Sequence, residues 1–286
     1  MKAQQALQIL RKQRRWVIAA YAAVLLLAAG TVVLLLWRRE GAAVSLAVLV
    51  AFYVLVVSRL DRHYGELFVQ LNLLVTASGV QNARVLKQGS IPREVLNKAG
   101  LFPLPPGKEG ALVKSGIQGD SVSAAEIATF YQVPADISKH GVLLMKGLLY
   151  SLETTACSKE LVCMDRNIIP ESVADAFYSS RGLKKVRMHA GENDRTIYAC
   201  SEMTQEELDA AEKHIRAVLL PITEKGGKAI FSMHGKEVYL FYYRKTLEMP
   251  IPVMSAPPLP ALESDRIPEL RVLLREFGPC AGEKTA

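Results

Sequence analysis

Charge is missing from two long stretches near the N-terminus. Trp16 to Trp37 reads WVIAAYAAVLLLAAGTVVLLLW and Gly41 to Ser58 reads GAAVSLAVLVAFYVLVVS, neither with one Asp, Glu, Lys, Arg or His. A pore, proton relay or transporter site in a bilayer needs ionisable or polar lining, so a channel or transporter has nothing here to run on. Acid is scarce as well: residues 1–58 hold only Glu40 against seven Lys/Arg. Cysteine is sparse and badly spaced for metal. Cys157, Cys163, Cys200 and Cys280 contain no C-x-x-C and assemble into no tetrahedral zinc pattern. In a cytosolic domain they are expected as reduced thiols. No H-E-x-x-H, G-x-S-x-G or Walker-type loop occurs. The segment SGIQGDS lacks both the P-loop lysine and the third glycine of a dinucleotide loop, and reads as a turn. No metal and no cofactor is expected. Residues 59–286 carry 28 Lys/Arg against 27 Asp/Glu, so the soluble part lacks the cationic excess of a nucleic-acid binder.

The uncharged stretches themselves are the strongest signal. The first, 22 residues, spans about 33 Å as a helix, close to the hydrocarbon thickness of a bilayer. Trp16 and Trp37 stand at its two ends, where indoles favour the membrane interface. The run is longer than a signal-peptide core and is followed at once by a second, which favours a span over a cleaved leader. The second, 18 residues, sits near the lower limit for a span, so Arg59 and Arg62 are placed to snorkel. Ala43, Ala47 and Ala51 form a small-xxx-small row suited to close approach of the two helices. Arg11, Lys12, Arg14 and Arg15 precede the first span and suit anionic lipid. Two arginines, Arg38 and Arg39, lie in the tight loop. This bias puts the residues before and after the hairpin in the cytoplasm of a two-pass inner (plasma) membrane protein, and the loop outside.

Beyond the spans, Leu60, Tyr64, Leu67, Phe68, Leu71, Leu74 and Val75 keep helical spacing, a stalk helix that packs on the protein's own core and stops near Ser78–Gly79. A short helix is expected at Pro92–Ala99, with Ser90 as its cap. Strand-like segments follow at Glu126–Val133, Gly141–Glu153, Lys159–Asp165, Leu183–His189 and Arg195–Cys200, with AGENDR as a hairpin turn. Thr204 and Glu207 form a capping box that opens a helix running to about Leu220. A hairpin, Lys228–Met233 and Lys236–Arg244, turns at His234–Gly235. The proline-bearing stretches Phe102–Gly107 and Pro250–Pro260 read as rigid connections, and Pro268–Phe277 as a last helix. The expectation is an α+β chain: a basic segment and transmembrane hairpin over 1–58, a stalk over 59–79, a mainly antiparallel soluble domain over 80–277, and a loose tail over 278–286.

Three segments carry a family resemblance: MKGLLYSLE, the run VRMHAGENDRTIYACS leading into MTQEELDAAEKHIRAVL, and KAIFSMHGKEVYLFYYRK. Through them the chain resembles a bacterial family of two-transmembrane-helix membrane proteins defined by a domain of unknown function (numbered 3137). The resemblance implies the same architecture and brings no catalytic residues. The densest polar cluster, His189, Glu192, Asp194 and Arg195, reads as a charged hairpin turn, and none of the cysteines has a local signature pairing it with His140, His189, His214 or His234. The leading expectation is therefore a membrane-anchored cytoplasmic binding or scaffold domain, in contact with the bilayer and with a protein partner or a second copy through its helices. The competing expectation is a membrane-tethered enzyme acting on a membrane-proximal or lipid-derived substrate through the His189–Arg195 cluster.

Overall fold

A computed structural model describes residues 3–37, 39–77, 80–86, 89–104, 110–131, 142–186, 195–247, 260 and 263–278. The Ser78–Gly79 stop, residues 105–107 of the first proline stretch, residues 250–259 of the second and the tail after Gly278 lie outside these residues. The fold is α+β, as the sequence led us to expect, with two long apolar N-terminal helices ahead of an open, mostly antiparallel sheet with helices. Contacts divide the chain into two compact units: one contains residues 1–78 and 248–265, the other residues 79–247 and 266–286.

In the first unit, α1 (Ala3–Trp37) runs antiparallel to a second helical run made of α2 (Arg39–Phe52), a π-helical turn (Tyr53–Val57) and α3 (Ser58–Thr76). The basic N-terminal segment is therefore helical, continuous with the first apolar stretch. Ala6, Leu10 and Val17 of α1 pack against Tyr64, Phe68 and Leu71 of α3, so the stalk's apolar stripe is covered by this same helical pair. The seam on the second run is Ala42, Ser45, Leu49, Phe52, Val57, Leu60, Tyr64, Phe68 and Leu71. Its steps are three or four residues, as an α-helical face requires, except for the five from Phe52 to Val57. The π turn absorbs that extra residue and keeps both halves of the seam on α1. Asn72 Nδ2 donates to the Ser264 carbonyl at 3.0 Å, tying the returning chain to α3.

The second unit is built on an eight-stranded sheet. Its path is β1 (Arg84–Leu86), β3 (Ala111–Gln118), β4 (Val122–Tyr131), β5 (Val142–Asp165), β7 (Arg195–Cys200) and β6 (Leu183–Val186); β2 (Gly89–Ile91) pairs with β3, and β8 (Lys228–Tyr243) with β5. Every pairing among the described residues is antiparallel. Two expectations change here. The expected strands at Gly141–Glu153, described from Val142 on, and at Lys159–Asp165 fall in one 24-residue strand, β5. The expected hairpin at His234–Gly235 is one 16-residue strand, β8, that bends without reversing and pairs with β5 on both sides of the bend. Gly235 takes φ +60°, which fits a bulge as well as a turn. Tyr239 and Phe241 share a core with Ile230, so residues of one face are odd-numbered after the bulge and even-numbered before it. SGIQGDS also differs: its first four residues end β3, and only Gly119–Ser121 turn.

Helices cover both faces. On one, α4 (Arg93–Ala99) and α5 (Glu171–Ser180) contribute Leu96, Ala99, Ala174 and Tyr178 to a core with Ile127, Leu149, Val162, Tyr198, Ile230 and Phe241. On the other, α6 (Gln205–Thr223) and α7 (Pro268–Phe277) pack on β8 and β5, with Phe277 stacked on Phe231 at 5.6 Å. The capping box is formed: Glu207 N–H donates to Thr204 Oγ1, and Thr204 N–H to Glu207 Oε2. Pro221 lies inside α6 rather than beyond it. The α4 cap is Pro92 with no side-chain bond, not Ser90, which belongs to β2.

The role assigned to the π turn has a direct check. Deleting Val56 removes the extra residue and leaves both halves of the seam aligned, so thermal unfolding of the full chain in detergent is expected to stay within about 1 kcal/mol of wild type. Deleting Gly65 rotates Phe68 and Leu71 by about 100° off the seam and is expected to cost about 3 kcal/mol or more. Equal destabilisation by the two deletions would contradict the register argument.

Candidate functional site: an apolar helix pair and a polar cleft

Two helical runs, Gln4–Trp37 and Gly41–Thr76, are long and apolar enough to cross a membrane. A core helix of the same composition would be mostly buried, whereas only 17% and 11% of their most apolar windows are buried here. Leu25, Leu26, Leu34, Leu35 and Leu36 on α1, and Val44, Leu46, Val48, Val50, Val54 and Leu55 on the second run, turn outward. Trp16 and Trp37 are 63% and 85% exposed at the two ends of the α1 stretch. A polar contact crosses the pair: Thr31 Oγ1 and Ser45 Oγ are 2.7 Å apart, and Thr31 also bonds back to the Leu27 carbonyl at 2.7 Å. These bonds satisfy the hydroxyls within the seam. The expected alanine row is corrected. Ala43, Ala47 and Ala51 are all exposed and point away from α1; the seam is built from Ala42, Ser45 and Leu49 instead. Of the basic residues before the span, Arg11, Lys12 and Arg15 are exposed and Arg14 is half-buried.

Arg195 is the only described member of the cluster His189, Glu192, Asp194 and Arg195; the other three lie outside the described residues. Its guanidinium is committed to the fold. Arg195 Nε donates to Asp165 Oδ1 at 2.8 Å, Asp165 Oδ2 accepts the Ala229 N–H at 2.8 Å, and Arg195 Nη2 bonds to Thr223 Oγ1. Both side chains are over nine-tenths buried. The pair ties the start of β7 to the end of β5, the start of β8 and the last turn of α6. Among the cysteines, Cys163 is buried on the sheet and Cys200 is half-buried, both outside any disulfide. Cys157 and Cys280 have no described side chain.

A polar cleft of about 180 Å³ opens on the sheet beside the β3–β4 turn. Strand register builds it. Gln118 pairs with Ser123, Ser123 with Ser151 and Ser151 with Tyr239, so one row crosses four strands on one face. Ser123 Oγ and Ser151 Oγ are 2.7 Å apart. In the next row Glu153 stands opposite Glu237. Lys98 of α4 donates to Glu237 at 2.9 Å, and Tyr239 Oη donates to Glu237 at 2.8 Å. Burial would raise the Glu237 carboxyl, but these two bonds together outweigh it and hold the group below its ordinary range. Burial and the same carboxylate push the Tyr239 phenol well above its usual value. Among the described residues, the lining has hydroxyls and carboxylates but no His or Cys. It can hydrogen-bond a polar ligand, and it offers its serines no activating imidazole.

Sequence reasoning missed this row, and it missed two buried carboxylates on the opposite face. Glu126, 1% exposed, accepts the Leu247 N–H and the Thr246 hydroxyl, each at 2.9 Å. Glu269 accepts Tyr150 Oη at 2.8 Å and Lys245 Nζ at 2.6 Å. With Arg266 Nη1 donating to the Leu247 carbonyl at 2.9 Å, they fix the points where the chain leaves and re-enters this unit. A lone acid at a core position of a strand, as in SAAEIATF, was the available signal. Comparison with protein-family models, curated proteins and solved structures returns no match.

Two outcomes follow from this geometry. Arg195→Ala or Asp165→Ala leaves a buried charge unpaired and is expected to cost about 3–5 kcal/mol in urea unfolding; a loss below about 1 kcal/mol would show that the pair is not a staple. The Glu237 carboxyl is held low in the fold, so its contribution is complete above the ordinary carboxylate value and is lost as pH falls through its lower folded value. The stability gap between wild type and Glu237→Gln is thus expected to narrow below pH of about 4.5. A gap that widens with acid has the wrong sign.

Proposed function

We propose that the chain is a membrane-anchored binding or scaffold protein of the bacterial inner membrane, with its soluble α+β unit on the cytoplasmic side. The observation that carries this reading is the pair of antiparallel helices whose outward faces stay apolar and uncharged from Trp16 to Trp37 and from Gly41 to Ser58. Burying that surface in lipid removes an exposed apolar area that a soluble protein does not tolerate. The helical backbone satisfies its own amides there. Orientation rests on Arg11, Lys12, Arg14 and Arg15 before the first span against Arg38 and Arg39 in the loop. Membership of the two-transmembrane-helix family with the domain of unknown function belongs to the same proposal and rests on the three quoted segments.

The scaffold reading, rather than an enzymatic one, is supported by the residues that can be placed. Arg195 is engaged in a buried ion pair, and among the described residues the polar cleft pairs no serine with a histidine. The partner is a protein, engaged by the soluble unit or, as self-association, through the outward Ala43, Ala47 and Ala51 row.

Labelling the native cysteines in intact cells with a membrane-impermeant maleimide tests the orientation. The expected result is no labelling until the cells are permeabilised, then modification of Cys200 and Cys280 without reductant, with Cys163 reacting only after denaturation. Labelling of Cys280 in intact cells, or thiols that appear only after reduction, would place the soluble unit outside the cytoplasm.

A further inference from the structure

Where the apolar stretch ends on one helix, cations stand on both. Arg11, Lys12 and Arg15 on α1 and Arg59 and Arg62 on α3 are all exposed. The Thr31–Ser45 contact fixes their heights. Sixteen residues separate Arg15 from Thr31, and the same number separates Ser45 from Asp61, so each arm descends about 24 Å from that contact. Arg15 therefore lies level with Asp61, and Arg59 and Arg62 bracket it. Arg11 lies farthest from Trp16, at about 7.5 Å along the axis. The headgroup layer on one side of a bilayer is about 5–8 Å thick. With Trp16 at the hydrocarbon boundary, Arg11, Lys12, Arg15 and Arg62 fall inside that layer, and Arg59, one or two residue rises on its hydrocarbon side, reaches it by snorkelling, on two helices held together by the Leu10, Val17, Tyr64 and Phe68 seam. Two acids share this level: Asp61, half-buried with its carboxylate toward the Tyr21 hydroxyl, and exposed Glu66, so the excess stays positive.

We propose that these five residues form a two-helix cationic collar that binds the phosphate headgroups of anionic phospholipids in preference to zwitterionic ones. The inference rests on the membrane-anchored reading and adds a lipid class to it. Neither arm alone makes the site: α1 supplies three cations and α3 supplies two, and the helix pair fixes their spacing. The opposite end of the hairpin carries Arg38 and Arg39 offset by Glu40, a weaker excess. The two ends of one hairpin thus differ in lipid preference, and each has its own tryptophan reporter.

The full chain is reconstituted into vesicles of equal parts phosphatidylcholine and phosphatidylglycerol, with one lipid brominated at a time to quench tryptophan. Trp37→Phe leaves Trp16 as reporter of the collar end, and Trp16→Phe leaves Trp37 as reporter of the loop end. The expected result is quenching of Trp16 by phosphatidylglycerol over phosphatidylcholine by about fivefold, the scale of one cation–headgroup contact, shrinking as salt rises. Trp37 is expected to show a ratio near one. Arg11→Gln/Lys12→Gln and Arg59→Gln/Arg62→Gln should each lower the Trp16 ratio while both lipids still quench. Inorganic phosphate exchanged for chloride at constant ionic strength should leave it unchanged. Equal quenching of Trp16 by the two lipids, loss of preference in only one of the two pair variants, or competition by free phosphate would each overturn the collar and leave the anchor standing. Failure of either lipid to quench would instead sink the anchor.

Discussion

Under the proposed membrane anchoring, a backbone amide in hydrocarbon has no water to bond, and this constraint organises the N-terminal unit. Helix is the only open structure that answers it, so the two uncharged stretches become helices whatever their side-chain propensities. The helical run then does not stop where the apolar stretch stops. On α1 it starts at Ala3, and on the second run it continues to Thr76. Outside the apolar stretch the driving force changes: Leu10, Phe68 and Leu71 leave water by packing on one another. In the proposed anchor one seam therefore serves two solvents. The π turn at Tyr53–Val57 lets the sequence keep an out-of-step residue without turning half the seam outward.

The soluble unit depends on one long ribbon, β5 paired with β8. Strand β8 pairs with β5 on both sides of Gly235, while β4 pairs with the first half of β5 and β7 with the last. Its weak points are the ends, where backbone groups lose ladder partners, and buried charge is used there. Asp165 meets the start of β8 while holding Arg195, and Glu126 receives the amide of Leu247, four residues past its end. A buried ion pair adds little over an apolar pair of the same volume, but either partner alone is costly, so the arrangement enforces one register.

Much of this was legible in the residues, for physical reasons. The spans, the stalk, the Thr204 capping box and α7 each rest on local signals: an uncharged run, a 3.6-residue period, a cap, a proline at a helix start. The errors cluster where a local signal has two structural answers. His234–Gly235 permits a turn or a bulge, because a left-handed glycine suits both, and pairing with β5 decided it. The Ala43, Ala47 and Ala51 row was a valid close-packing pattern on the wrong face, since the partner's seam, and not the alanines, chose the contact. Helix α5 went unread because its period is short and Pro170 precedes it without a polar cap. The polar row Ser123, Ser151 and Tyr239 exists only through strand register, which joins residues far apart along the chain. Arg195 was singled out as polar and dense in charge; its burial beside Asp165 could not be read from neighbours in sequence.

The proposed anchor depends most on a single helix pair lying in lipid for part of its length and in water for the rest. A nitroxide scan along α1 tests that directly, with the full chain in bilayers and both dissolved oxygen and a water-soluble nickel complex as relaxants. Outward positions such as Leu25, Leu26 and Leu36 are expected to favour oxygen, positions 4–12 to favour nickel where exposed, and Ala6, Leu10 and Val17 to resist both. The crossover should fall at Trp16. Nickel access along residues 19–36 would show that these helices do not lie in the membrane at all.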